Sequence, residues 1–277
     1  MISLLRLCRL YYALPMSSIL TLTIWYALGD AIATQWAGAL CATIALALVI
    51  SGGYALNDVC DLRADRTNAP QRAIPAGRVQ IEVATLWSAG LFASGLLISA
   101  FCRWQFFVAL TCVAAALVVY DLSSKRLGLG KQLLVAALMT SFYPLAFAQA
   151  GLPASSRAST LYVFPFWIFL TSFGYETLKD LRDVHGDRLA AGRPSWVQRR
   201  PQRALAVARG TIIAGALALL GPTFVGCGSV YLTIIPVAVA LGFWSAFLPQ
   251  SRARIAIYVQ FVVVGIAAAA DIMILGS

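Results

Sequence analysis

Apolar runs of about 20 residues, the length an α-helix needs to cross a hydrocarbon core, recur along the whole chain with short polar breaks between them. About nine transmembrane helices are predicted, over 14–34, 38–57, 81–101, 104–121, 132–150, 160–178, 204–224, 229–248 and 255–275. The opening stretch MISLLRLCRLYYALP carries two arginines and no small-residue cleavage site, so it reads as an amphipathic entry into the first helix, with nothing removed.

Composition agrees with the pattern. Of 277 residues, 60% are hydrophobic and 12% charged, against about 25% charged in ordinary soluble domains. The expected fold class is an all-α, multi-pass membrane protein, one polytopic domain over 1–277, embedded in the lipid bilayer. With the N-terminus inside, Arg6, Arg9, the segments after the second, fourth and sixth helices, Arg252 and Arg254 all fall on the cytoplasmic side. Only Arg103 and Arg157 then lie outside, a strong positive-inside bias. The net charge of +10 is therefore a topology signal and argues against a nucleic-acid partner. Six cysteines without a CxxC pair read as small buried hydrophobes.

Only 11 residues are acidic, so their placement is informative. Asp30 and Asp271 fall toward the outer side, while two clusters sit at the predicted inner ends of the second and sixth helices. The first is Asn57, Asp58, Asp61 and Asp65; the second is Glu176, Asp180, Asp183 and Asp187. Both contain D-x-x-D-x-x-x-D, and spacing i, i+3, i+7 puts three carboxylates on one helical face. Charge runs are ordinarily solvated helix ends, but like charges at these spacings repel and ionisable groups near a bilayer are costly. A compensating cation is called for. Oxygen-only ligands suit Mg²⁺, which binds through one or two carboxylates plus phosphates and water, and the single histidine, His185, has no partner at zinc-ligand spacing.

Basic residues flank both clusters: Arg63, Arg66, Arg72 and Arg78 after the first, Lys179, Arg182, Arg188 and Arg193 around the second. They offer donors to the oxygens of a diphosphate, although each alone also serves as a topology or headgroup charge. Arg6 and Arg9 are read chiefly as topology charges. A third polar feature, Tyr120 to Arg126 after the fourth helix, exits on the same side, so Tyr120 and Lys125 are in reach of the same anion.

These residues resemble the UbiA superfamily of intramembrane prenyltransferases. Asn57 to Asp65 fits its N-D-x-x-D-x-x-x-D motif, Asp183 to Asp187 its D-x-x-x-D motif, and Arg72-Ala73-Ile74-Pro75-Ala76-Gly77 is similar to the R-P-I-P-S-G segment of several members. The likeness covers nearly the whole chain. It implies helices around a large central cavity, cytoplasmic cap loops after helices 2 and 6, and catalytic residues Asn57, Asp58, Asp61, Asp65, Asp180, Asp183 and Asp187. Metal ligands would be Asp58, Asp61, Asp65, Asp183 and Asp187; diphosphate contacts would be Arg63, Arg66, Arg72, Tyr120, Lys125, Lys179 and Arg182. The chain departs from the family after the second motif, where Gly192 to Arg200 replaces the usual Thr-Leu-Pro ending, which bears on the acceptor. Asp58 and Asp180 lie 122 residues apart, consistent with two related parts, roughly 1–130 and 131–277.

The expected reaction is Mg²⁺-dependent ionisation of an allylic prenyl diphosphate and transfer of the prenyl group to a small lipophilic or aromatic acceptor, with release of pyrophosphate. A water-poor cavity protects the allylic cation, and rings such as Tyr54, Phe142, Tyr143 and Tyr175 offer cation–π contacts besides ordinary packing. A membrane terpene cyclase shares the ionisation step, so the sequence leaves that alternative open. Cation-coupled transport fits poorly, because the acids gather on one side rather than along a path.

Overall fold

The structure, a computed structural model, describes residues 2–123, 127–152, 155–183 and 195–275. Among the described residues every regular element is helical. In chain order they are α1 (Ile2–Leu7), α2 (Leu10–Leu28), α3 (Ile32–Cys60), α4 (Leu62–Asn68), α5 (Ile81–Ser99), α6 (Trp104–Ser123), α7 (Leu129–Thr140) and α8 (Phe142–Ala150). Then follow α9 (Phe164–Arg182), α10 (Trp196–Arg199), α11 (Pro201–Ala218), α12 (Ser229–Ser245) and α13 (Gln250–Leu275), with 3₁₀ turns at Gly29–Ala31, Ala158–Tyr162 and Gly221–Phe224.

Each predicted apolar segment is largely helical; 14–34 runs past the end of α2 at Leu28 into α3, and two others differ in form. The segment 132–150 is two helices, α7 and α8, meeting at Ser141. Pro144 has no N–H to give the Thr140 carbonyl and its ring crowds that oxygen, while the Ser141 hydroxyl donates back to Leu138 C=O at 2.6 Å. The segment 160–178 is α9, whose last turns carry Glu176, Lys179 and Asp180. That charge keeps it out of the set of six helical stretches long and apolar enough to cross a membrane. The first of the six, Leu10–Cys60, is 51 residues long and folds back on itself. The reversal is made at Gly29, with φ 56° and ψ −133°, a region where only glycine is unstrained.

The helices close into a ring. α2 packs on α3 and α8, α3 on α5 and α6, α7 on α9, α9 on α11, α11 on α12, α12 on α13, and α13 returns to α2 and α9. Lipid supplies no hydrophobic drive between helices, so close approach of small residues holds such a ring together. A methyl added at Gly174 would sit 2.7 Å from the Ala208 carbonyl, and one at Gly95 would sit 2.8 Å from that of Ala45. Inside the ring, Ile19, Thr23, Tyr26, Tyr143, Trp167 and Val264 are among the residues lining an apolar pocket of about 460 Å³, mouth included.

One end of the ring is tied by a buried ion pair. Asp271, with no exposed surface, binds Arg157, itself 5% exposed. Its carboxylate also accepts from the backbone N–H groups of Gly228 at 2.8 Å and Tyr231 at 2.9 Å, which satisfies donors at the start of α12 that no intrahelical acceptor reaches. Tyr26 anchors the same region by donating to Ala268 C=O at 2.8 Å. The cysteines among the described residues are free thiols, Cys8 and Cys227 buried and Cys112 exposed. Asp271→Ala is expected to destabilise the protein in detergent by about 3–5 kcal/mol, because it strands a buried guanidinium. The pair Asp271→Ala/Arg157→Ala should lose less than the sum of the singles in denaturant unfolding.

Candidate active site

Asn57, Asp58, Asp61, Asp65, Arg72, Tyr120, Glu176, Lys179 and Asp180 gather at the other end of the ring. α3 carries Asn57 and Asp58 in its last turns, Asp61 joins α3 to α4, and α4 brings Asp65 back alongside Asp58. Asp58 and Asp65 are both buried. One guanidinium serves the pair: Arg72 Nη1 lies 2.5 Å from Asp65 Oδ2 and 3.3 Å from Asp58 Oδ1. Arg72 is placed by the turn that follows it, where Ala73, Ile74 and Val79 bury against Leu7, Ala55 and Ala84. The Ala73 carbonyl there accepts from Arg78 N at 2.9 Å and Val79 N at 3.2 Å.

Asp58 also binds Arg9. Arg9, read from sequence as a topology charge, stands between α1 and α2 with φ 44°, a left-handed conformation unfavourable for a non-glycine residue. Its guanidinium lies 5.0 Å over the Tyr54 ring. Burial pushes the Asp65 carboxyl up to about 6, partly opposed by Arg72.

The end of α9 faces this cluster. Lys179 Nζ sits 2.9 and 3.0 Å from the two carboxylate oxygens of buried Glu176. Lys131, on the first turn of α7, reaches Asp180 Oδ1 at 2.5 Å and Glu176 Oε1 at 3.2 Å. Gln132 donates to the other Asp180 oxygen at 2.7 Å and accepts from Trp196 Nε1 at 3.3 Å. Asp180, expected in the catalytic set, is thus held on both oxygens by α7. Asp183 is half-buried and paired with Arg182 at 2.5 and 2.7 Å. Tyr120 joins the halves, its hydroxyl 3.5 Å from Glu176 Oε1. Arg63 and Arg66 are exposed on α4. Asp187 and Lys125 lie outside the described residues.

Sequence reasoning missed Lys131, Gln132 and Asp121 as site residues and undervalued Glu176 and Arg9. Lys131 and Gln132 follow Gly128 and Gly130 at the start of a predicted span, where a basic residue reads as topology. Only the contact between α7 and α9 brings them to Asp180.

The donor set suits a hard divalent ion: oxygen ligands without sulfur, and imidazole limited to His185. Among the described residues no three acidic, histidine or cysteine side chains converge on one point. Arg9 and Arg72 instead pair with the carboxylates of Asp58 and Asp65. Of the metal ligands expected from the sequence, Asp58, Asp61, Asp65 and Asp183 are among the described residues.

A family model, the UbiA prenyltransferase family, matches residues 17–265. The chain belongs to that family. It is accordingly a prenyltransferase-class enzyme of the membrane. Among curated relatives it is similar to digeranylgeranylglyceryl phosphate synthase of Sulfolobus acidocaldarius, 29% identical over 193 residues, 68% of this chain and 67% of the relative. The synthase of the same name from Sulfurisphaera tokodaii is 31% identical over 167 residues, 58% of each chain; the match thus spans about three fifths to two thirds of these relatives. A solved UbiA homologue from Archaeoglobus fulgidus, bound to GPP and Mg²⁺, superposes with a TM-score of 0.73 at 16% identity, covering 98% of both chains. At that identity it shows the shared fold.

The Asp65 shift gives a pH signature. A carboxyl titrating near 6 loses its charge as pH falls from 7 to 5, and a divalent ion binds only the ionised form. Mg²⁺-dependent activity should therefore fall on the acid side with a midpoint near 6, and raising Mg²⁺ should move that midpoint lower. A pH profile at two Mg²⁺ concentrations measures this.

Proposed function

We propose that the chain transfers a prenyl group from a long-chain prenyl diphosphate, geranylgeranyl diphosphate favoured, to the hydroxyl of a phosphate-bearing, mono-prenylated glyceryl acceptor, releasing pyrophosphate. The observation that carries the transfer is the meeting of the Asp58/Asp61/Asp65 cluster with the Lys131/Glu176/Lys179/Asp180 network at one end of a ring that encloses an apolar pocket. The relatives named digeranylgeranylglyceryl phosphate synthase support the glyceryl phosphate acceptor over an aromatic one. The positive-inside count supports a cytoplasmic position for this end, and we read the chain as one domain whose two related parts each contribute one side of the site.

In this reading the diphosphate lies between the two sides, and Arg72, Lys179 and Lys131 turn from their carboxylate partners to its oxygens. Asp58, Asp61, Asp65 and Asp183 would hold Mg²⁺, which would supply Lewis-acid neutralisation of the leaving group. Tyr120 orients the anion. The prenyl tail runs along α9 into the apolar pocket; at 1.5 Å per residue about 18 Å separate Glu176 from Phe164 at its far end, room for several isoprene units. Tyr54 and Tyr143 line the route, and the pocket's apolar wall keeps water from the allylic cation.

Asp58→Ala and Asp183→Ala are each expected to reduce Mg²⁺-dependent pyrophosphate release by at least about 100-fold while the protein keeps its elution profile in detergent. Normal turnover by both would refute the assignment. Supplying geranyl, farnesyl or geranylgeranyl diphosphate with either a mono-prenylated glyceryl phosphate or a hydroxybenzoate, and identifying products by mass spectrometry, decides the acceptor. An acceptor-independent hydrocarbon product would instead establish the cyclase. Gly265 borders the pocket, and a Cβ there meets nothing within 4 Å. Gly265→Phe should therefore project into the tail's path and shift preference at least about tenfold toward the shorter donor, one lost packing contact of 1–3 kcal/mol being of that size.

A further inference from the structure

Asp121 is the acid of this end that the mechanism above does not use. It sits in the last turn of α6, only 6% exposed. Its Oδ1 accepts from Asn57 Nδ2 at 3.2 Å, and the same nitrogen donates to Asp61 Oδ2 at 3.1 Å. Its Oδ2 is buried without a hydrogen-bond partner among the described residues. A carboxylate oxygen left bare in a buried place is costly, and one N–H to each of two acids fixes which way the Asn57 amide faces.

We propose that Asp121 is a positioning residue of the divalent-ion site. It sets the Asn57 amide, and through it the orientation of Asp61, and its bare Oδ2 accepts from the water shell that Mg²⁺ retains when bound. Two observations separate this from a plain tie between α3 and α6. A structural tie needs one oxygen and would be met equally by a neutral amide or hydroxyl, whereas here the side chain is an acid placed next to acids, where like charge is unfavourable. The unsatisfied oxygen is on the carboxylate that shares a donor with a candidate metal ligand. An outer partner of a metal ligand typically changes metal affinity about 10–100-fold when removed, which sets the size of the expected effect.

The inference rests on the metal site proposed above, and the experiment keeps the two apart. Mn²⁺, a paramagnetic stand-in for Mg²⁺, is titrated by electron paramagnetic resonance into detergent-purified wild type, Asp121→Ala and Asp121→Asn, with thermal unfolding followed on the same samples. Expected are about 10–100-fold weaker Mn²⁺ binding in Asp121→Ala and a smaller loss in Asp121→Asn, which keeps a carbonyl for Asn57. Asn57→Ala combined with Asp121→Ala should add little to either single change. Wild-type Mn²⁺ affinity in a folded Asp121→Ala, even with a lowered melting temperature, would overturn the positioning role. If Asp121→Ala does not fold, wild-type affinity in Asp121→Asn overturns it equally. A wild-type protein that itself fails to bind Mn²⁺ refutes the metal site, and this inference with it.

Discussion

A carboxylate taken out of water at the end of a membrane-crossing helix keeps its charge only beside a cation, because desolvation otherwise favours the neutral acid. The site end is organised around that constraint. Asp58 has Arg9 and Arg72, Asp65 has Arg72, Glu176 has Lys131 and Lys179, and Asp180 has Lys131. Lys179 is three residues from Glu176 on α9, but the other cations come from elements far apart in sequence: the start of α2, the turn after α4 and the first turn of α7. The ring must close as it does for these partners to arrive. Asp121 stands apart, since among the described residues its hydrogen-bond partner is the neutral Asn57 amide.

The apolar rhythm made the helices legible, because crossing a bilayer leaves little freedom in length or composition. Where the structure departs from it, the cause is local: Pro144 breaks one span, and the charges on α9 make another less apolar than its neighbours. The aspartate motifs were legible too, since acids are rare enough here that spacing stands out. Partners are different. Nothing in the spacing of Lys131 says that it will meet Asp180, 49 positions on, and nothing in Arg9 says that it will turn to Asp58 rather than to the membrane surface. Those pairings depend on which helix faces which, a property of the closed ring.

In the proposed reaction the resident ion pairs act as placeholders. Arg72 and Lys179 are kept close by carboxylates until a diphosphate with its metal ions offers both sides better partners. The charges are already partly desolvated and paired, so binding exchanges partners and carries less new charge out of water. The left-handed backbone at Arg9 fits the same picture, as an unfavourable local conformation maintained because the ion pair it makes possible is worth more.

The Arg157–Asp271 pair at the far end has a consequence for the membrane itself. An apolar chamber that admits charged ligands at one mouth is a leak pathway unless its other end is shut. Asp271 is fully enclosed and its oxygens are committed to Arg157 and the α12 backbone, so the acid at this end has no oxygen left to offer a passing cation.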